Sequence, residues 1–177
     1  AETAQKVVDL YYSNPNHAKG RGVQVTISVA AFVPKPDTPF EFEPQDSRAE
    51  FVRKQRLLLD NLRSKKIRLH YHDADVSRLE AVLARGDRRL ADVIETAWKD
   101  GGNLESWEGQ FSMARWDTAL ALHGLDADFY ACRRRAFDET FPWDHIDFGV
   151  SRDFLIRENR LARESKTSPN CREHCTG

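Results

Sequence analysis

The chain has 177 residues, 27 of them basic and 28 acidic, for a formal net charge of −1, which excludes a global electrostatic pull toward nucleic acid or anionic lipid. Hydrophobic residues make up 40% and charged residues 31%, enough apolar volume for a packed core and too much for a disordered chain. The longest apolar stretch, Val23 to Val33, is broken by Gln24, Thr26 and Ser28, so a membrane-spanning helix is not expected; no secretory signal layout is visible, and the chain reads as a cytoplasmic one.

Taken in order, Glu2 to Tyr12 places Val7, Val8, Leu10 and Tyr11 in a short helical pattern that Ser13-Asn-Pro-Asn16 ends. Val23 to Val33 alternates as a strand. Four prolines between Pro34 and Pro44 remove backbone donors and fix φ, which predicts a stiff extended segment that is neither helix nor central strand. Asp46 or Ser47 can cap the next helix, with Phe51, Leu58 and Leu62 on one face, and a second strand follows at Ile67 to Tyr71. This order suits a βαβ unit.

Beyond Asp73 the apolar spacing is helical throughout. Val76, Leu79, Val82 and Leu83 form one helix, ended by Gly86 in the left-handed conformation, with Asp87 capping the next. Leu90, Val93, Ile94, Ala97 and Trp98 then make a regular stripe that Gly101-Gly102 stops. Further helices are expected at about Ser112 to His123, Asp126 to Arg134 and Ser151 to Ser165, the last with Ser151 as cap and Val150 and Leu155 as a hydrophobic staple.

Several clusters could carry chemistry. Cys171 and Cys175 have three residues between them in a polar tail; their spacing alone suits a disulfide or idle thiols, or two ligands of a zinc or iron–sulfur site short of its full set. Cys132 reads as an ordinary half-buried thiol. His70 and His72 share a strand face at its C-terminal end, where ligands gather in parallel sheets, although two surface histidines satisfy the same pattern. The non-helical Phe141-Pro-Trp-Asp-His-Ile146 makes Trp143, Asp144 and His145 candidate substrate-facing residues. Its local alternative has Trp143 plugging the core while Asp144 and His145 pair with each other or with Arg133 to Arg135. That arginine run, with Arg85, Arg88 and Arg89, could grip phosphates or form solvated helix faces. The sequence has no phosphate loop, nucleophile elbow or dinucleotide fingerprint.

The run Ile27-Ser-Val-Ala-Ala-Phe-Val-Pro-Lys-Pro-Asp-Thr-Pro-Phe40 resembles the last-strand signature of radical S-adenosylmethionine proteins of the cobalamin-binding-domain group. Ala84 to Leu90, Gly124 to Tyr130, Phe137 to Ile146 and Cys171 to Gly177 are similar, in order, to the C-terminal region of one branch of that group. The resemblance implies a mixed α/β, predominantly helical chain: the last strand or strands of a partial (β/α) barrel over residues 1–72, a helical C-terminal region over 73–165 and a Cys-containing flexible tail over 166–177. It implies that Ser28, Phe32, Val33, Pro34 and Lys35 line the cofactor or substrate cavity, and that Cys171 and Cys175 ligate a second cluster or zinc. The group's Cys-x-x-x-Cys-x-x-Cys motif and its cobalamin-binding Asp-x-His-x-x-Gly are absent, so S-adenosylmethionine, the main iron–sulfur cluster and cobalamin belong to the parent enzyme and the chain alone is expected to be inactive. The first residue Ala1 and the stop at Gly177, inside a cysteine motif, read as the ends of a fragment whose partners are the rest of that protein and a substrate, RNA or a small molecule, with no membrane. Two alternatives stand beside this: a helical RNA-binding module using the arginine runs, and a small metal-binding protein using the terminal thiols.

Overall fold

A computed structural model describes residues 1–170 and 172, apart from 19, 21 and 108. The described residues form a mixed α/β, predominantly helical structure that divides into two compact units, one of residues 1–31 and 47–74, the other of 32–46 and 75–177.

The first unit holds α1 (Glu2–Ser13), β1 (Val25–Val29), α2 (Arg48–Asp60) and β2 (Ile67–Tyr71). The two strands pair in parallel, Val25 opposite Ile67 through Val29 opposite Tyr71. Parallel pairing requires a crossover, and α2 supplies it, started by Ser47, whose hydroxyl accepts from the Glu50 N–H. Ala4 and Val8, one turn apart on α1, are buried with Ile67 and pack among Val23, Val25, Ile27 and Leu62. β1 is shorter than the sequence predicts. Its ladder starts where the Val25 N–H reaches the Lys66 carbonyl at 2.8 Å, its last paired residue is Val29, and from Phe32 the chain belongs to the other unit. Helix α2 buries only Phe51; Leu62 joins the core from beyond the helix end.

The second unit packs α3 (Ala74–Arg85), α4 (Leu90–Lys99), α5 (Met113–Leu122), α6 (Ala127–Ala131) and α7 (Arg152–Arg163) around two clusters. Val82, Val93, Trp116, Leu120 and Tyr130 dominate the larger, with Ala81, Ala97, Ala119 and Ala131 small enough to let the helices approach. Phe42, Phe141, Trp143 and Leu155 form the smaller. The stripe on α4 is narrower than its spacing predicts: Leu90, Val93 and Ala97 are buried, but Ile94 and Trp98 are exposed, Trp98 by 59%. Packing against α5 covers the seam and not the flank.

The proline-rich segment is not extended. Residues 36–43 fold into successive turns, with the Glu41 N–H on the Thr38 carbonyl and the Glu43 N–H on the Phe40 carbonyl. Long-range bonds fix it, among them Gln45 N–H to the Ala131 carbonyl, Gln45 Nε2 to the Ser77 carbonyl at 2.9 Å, Arg135 N–H to the Phe42 carbonyl at 3.0 Å and Asn159 Nδ2 to the Pro39 carbonyl at 2.8 Å. Gly86 also departs from expectation, since its φ is not positive. Glycine is required there by close approach, because a Cβ would sit 2.0 Å from Leu90 Cδ1 and 2.8 Å from the Val82 carbonyl oxygen.

Two buried arginines cross-link the helix ends. Arg85, the last residue of α3 and 1% exposed, donates to the Ala131 carbonyl at 2.7 Å and the Arg133 carbonyl at 3.0 Å, where α6 ends. Arg135, 4% exposed, donates back to the Arg85 carbonyl at 2.6 Å and stacks over Phe141 and Trp143, 5.3 and 5.0 Å from their ring centres. Each guanidinium thus sits at the negative end of a helix from the other side of the clamp. It also explains why α6 stops at Ala131 and does not run on to Arg134.

Candidate functional site

Parallel strands are ordinarily apolar on both faces because helices or further protein cover both. The β1–β2 pair is not. One face, with Val25, Ile27, Ile67 and Leu69, turns toward the α1 core. The other carries Thr26 opposite Arg68 and Ser28 opposite His70, all exposed. The His72 N–H continues the ladder to the Val29 carbonyl at 3.2 Å, and alternation puts His72 on the same polar face. Acidic residues occupy none of these five positions. Four hydrogen-bonding side chains therefore share a patch of about 5 by 7 Å, set by the cross-strand and along-strand spacings.

In the second unit, the loop before α7 builds a cleft of about 360 Å³ whose polar lining is Asp37, Glu41, Asp144, Asp147 and Arg152. Ser151 caps α7, accepting from the Phe154 N–H, and this aims Arg152 at the loop. Its guanidinium donates to the Phe137 carbonyl at 3.0 Å, to Asp144 Oδ2 at 2.9 Å and to the Glu139 carbonyl. Asp144 Oδ2 also accepts from the Phe141 N–H at 2.7 Å. Glu41, 3% exposed, receives the Trp143 Nε1–H at 2.9 Å and the Asp37 N–H at 2.8 Å on one oxygen. Burial raises the Glu41 pKa above the ordinary carboxylate value, against the opposing Trp143 hydrogen bond. Asp37 is raised by burial and by the Asp144 charge, and adopts a left-handed backbone, φ 55°. These contacts tie the 137–147 loop to the 36–43 turns. Sequence patterning gives no sign of the Glu41–Trp143 bond, which spans 102 residues.

The residues singled out from sequence are therefore dispersed. Ser28 lies on the polar sheet face of the first unit. In the second, Phe32 is exposed edge-on to Phe40, Val33 packs on the larger helical core, Pro34 is fully buried, and Lys35 pairs with Glu80. Trp143 points into the smaller core, Asp144 is held by Arg152, and His145 is exposed. Cys171 and Cys175 lie outside the described residues. Among those described, no group of three His, Cys, Asp or Glu side chains is placed to hold a metal. Cys132 donates weakly to Asp128, and burial, then the Asp128 charge, pushes its thiol up to about 11.

Of the arginines that could have formed a phosphate-binding surface, Arg88 is exposed and the other five are committed internally. Arg133 forms a two-pronged pair with Glu139 at 2.7 Å, Arg134 meets Glu43 at 2.9 Å, Arg89 meets Asp87 at 2.6 Å, and Arg85 and Arg135 are buried. No described helix is long and apolar enough to cross a membrane. Comparison with known proteins finds no matching family model, curated protein or solved structure.

Proposed function

We propose that this chain is the C-terminal part of a radical S-adenosylmethionine enzyme, in which β1-α2-β2 belongs to the wall of the (β/α) barrel and the helical unit to the substrate side. One observation carries the reading: a parallel strand pair whose second face is polar. A two-stranded sheet is marginal alone, and a face of Thr26, Ser28, Arg68 and His70 cannot be covered by an apolar layer. A polar-lined cavity inside a barrel suits both features, because interior positions of a barrel strand alternate with the helix-facing ones.

When bound, S-adenosylmethionine with a reduced cluster supplies hydrogen-atom abstraction, chemistry that demands a closed site. The sequence lacks the Cys-x-x-x-Cys-x-x-Cys motif, so in this reading the ligands of that cluster belong to the parent enzyme, while Cys171 and Cys175 would serve a second cluster or zinc. This chain's own contribution is positional. Ser28 offers a hydroxyl to the cavity, and β2 backs it with Arg68 and His70. The internal pairing or burial of Arg85, Arg89 and Arg133 to Arg135 favours this reading over an RNA-binding module.

The test is the coding sequence contiguous with this chain. It should encode a Cys-x-x-x-Cys-x-x-Cys motif, and the whole polypeptide, purified anaerobically and loaded with iron and sulfide, should cleave S-adenosylmethionine to 5′-deoxyadenosine. A contiguous reading frame without the motif, or a loaded protein that leaves S-adenosylmethionine intact, refutes the proposal.

A further inference from the structure

The polar face has a chemical bias that the cavity-wall reading does not require. Its side chains can all donate hydrogen bonds: two hydroxyls, a guanidinium and one or two imidazoles. Pairs elsewhere in the chain set Arg against Glu or Asp, as at Arg53–Glu50, Arg133–Glu139 and Arg152–Asp144. Arg68 has no carboxylate partner among the described residues, and its cross-strand neighbour is Thr26. Strand pairing holds the Cα positions of Thr26, Ser28, Arg68 and His70 in fixed register, so the four side chains leave neighbouring positions on one face and only their rotamers have to be ordered. Preorganised donors around one cation are how proteins hold an oxyanion, and a guanidinium fork matches its geometry.

We propose that the Thr26, Ser28, Arg68 and His70 face binds the oxyanion of a small-molecule ligand, a phosphate or a carboxylate. Arg68 supplies the charge and the fork. Ser28 and Thr26 each donate one hydroxyl hydrogen, and His70 closes the patch from the C-terminal side of β2, where ligands of parallel sheets collect. The inference rests on the cavity-wall reading for its setting, but anion binding needs neither cluster nor S-adenosylmethionine.

The experiment is a 1H–15N NMR titration of the 177-residue chain with inorganic phosphate, and separately with acetate, at constant ionic strength. Saturable shifts are expected at Thr26, Ser28, Arg68 and His70, with a dissociation constant in the millimolar range. Arg68→Gln should weaken binding by about fivefold or more, and His70→Gln by less, while Arg63→Gln, off this face, leaves it unchanged. Tighter phosphate assigns a phosphoryl-bearing ligand, tighter acetate a carboxylate, and equal affinity an oxyanion site that does not discriminate. The inference is overturned if the four residues show no saturable shift up to about 50 mM, or if Arg68→Gln and His70→Gln both bind as the parent does. A chain that binds phosphate although the whole polypeptide fails to cleave S-adenosylmethionine refutes the enzyme reading alone; the reverse result refutes this one alone.

Discussion

Replacing Arg85 with methionine tests whether the buried arginine clamp holds the helical unit together. The substitution keeps most of the aliphatic stem but removes two charge-assisted bonds, at 2.7 Å to Ala131 and 3.0 Å to Arg133. Such bonds contribute about 1.5–3 kcal/mol each. The Ala131 carbonyl keeps the Gln45 N–H, so the Arg133 carbonyl is the one left without this donor. Removing Arg85 also relieves the cost of its own burial and its like-charge repulsion with Arg135 and Arg133, which together hold its pKa down to about 10. The expected net loss is about 2–3 kcal/mol, or a fall in Tm of roughly 4–12 °C. Since all four tryptophans lie in this unit, tryptophan fluorescence during urea unfolding follows it specifically. Arg135→Met should cost a similar amount. The double variant should cost more than the sum, by on the order of 1 kcal/mol, because the repulsion can be relieved only once. A single variant within about 0.5 kcal/mol of the parent would refute the clamp as a stabilising device.

Four other outcomes are expected. Glu41→Gln should be neutral to stabilising at pH 7, since it keeps an acceptor for Trp143 and removes a buried charge; the folded carboxyl has a raised pKa, so its contribution to stability falls as pH climbs above 4.5, and thermal melts of the variant should lose that dependence. Glu41→Ala should instead destabilise by about 1–3 kcal/mol through the orphaned indole N–H; equal behaviour of the two variants would contradict the geometry. Cys132, with its thiol at about 11, should react with iodoacetamide at pH 8.5 on the order of a hundredfold more slowly in the folded chain than in urea, as mapped by peptide mass spectrometry; comparable rates would show the site to be open. Gly86→Ala should cost about 1–3 kcal/mol from overpacking against Leu90 and Val82, and a variant of parental Tm would mean the α3–α4 turn is looser than described. Finally, the open edges of β1 and β2 and exposed Val7, Leu10 and Leu57 should make the isolated chain self-associate in light scattering; a monodisperse monomer counts against the truncated-barrel reading.

Much of the local structure was legible because it is local. Ser151 is the cap in the sequence and in the structure, and of the two candidates Asp46 and Ser47 the structure uses Ser47, since a hydroxyl three residues before a helical N–H needs no distant partner. Alternation through Val25, Ile27 and Val29 identified the strand, and the helix between the two strands implied their parallel pairing. Val150 and Leu155 flank the start of α7 as a staple requires, yet Val150 is exposed and both line the cleft. The site was legible only in fragments. Ser28 and the two histidines were visible separately, but their alignment on one face with Thr26 and Arg68 depends on a register 42 residues apart.

What the sequence determined by itself is the order of elements, the Ser151 cap and the centres of the apolar stripes, because these follow from periodicity and from side chains meeting backbone within one turn; the expected Asp87 cap is not formed, α4 starting from Arg89 with no side-chain cap. Tertiary structure decided the rest. It folded residues 36–43 into turns held by Gln45 and Arg135, trimmed the α4 stripe to the width α5 covers, and turned Gly86 from a left-handed cap into a close-packing position. It also buried Arg85 and Arg135, which any reading of single residues would place in solvent. A guanidinium is tolerated in a core only where carbonyls wait to receive it, and those carbonyls come from helix ends nearly 50 residues away.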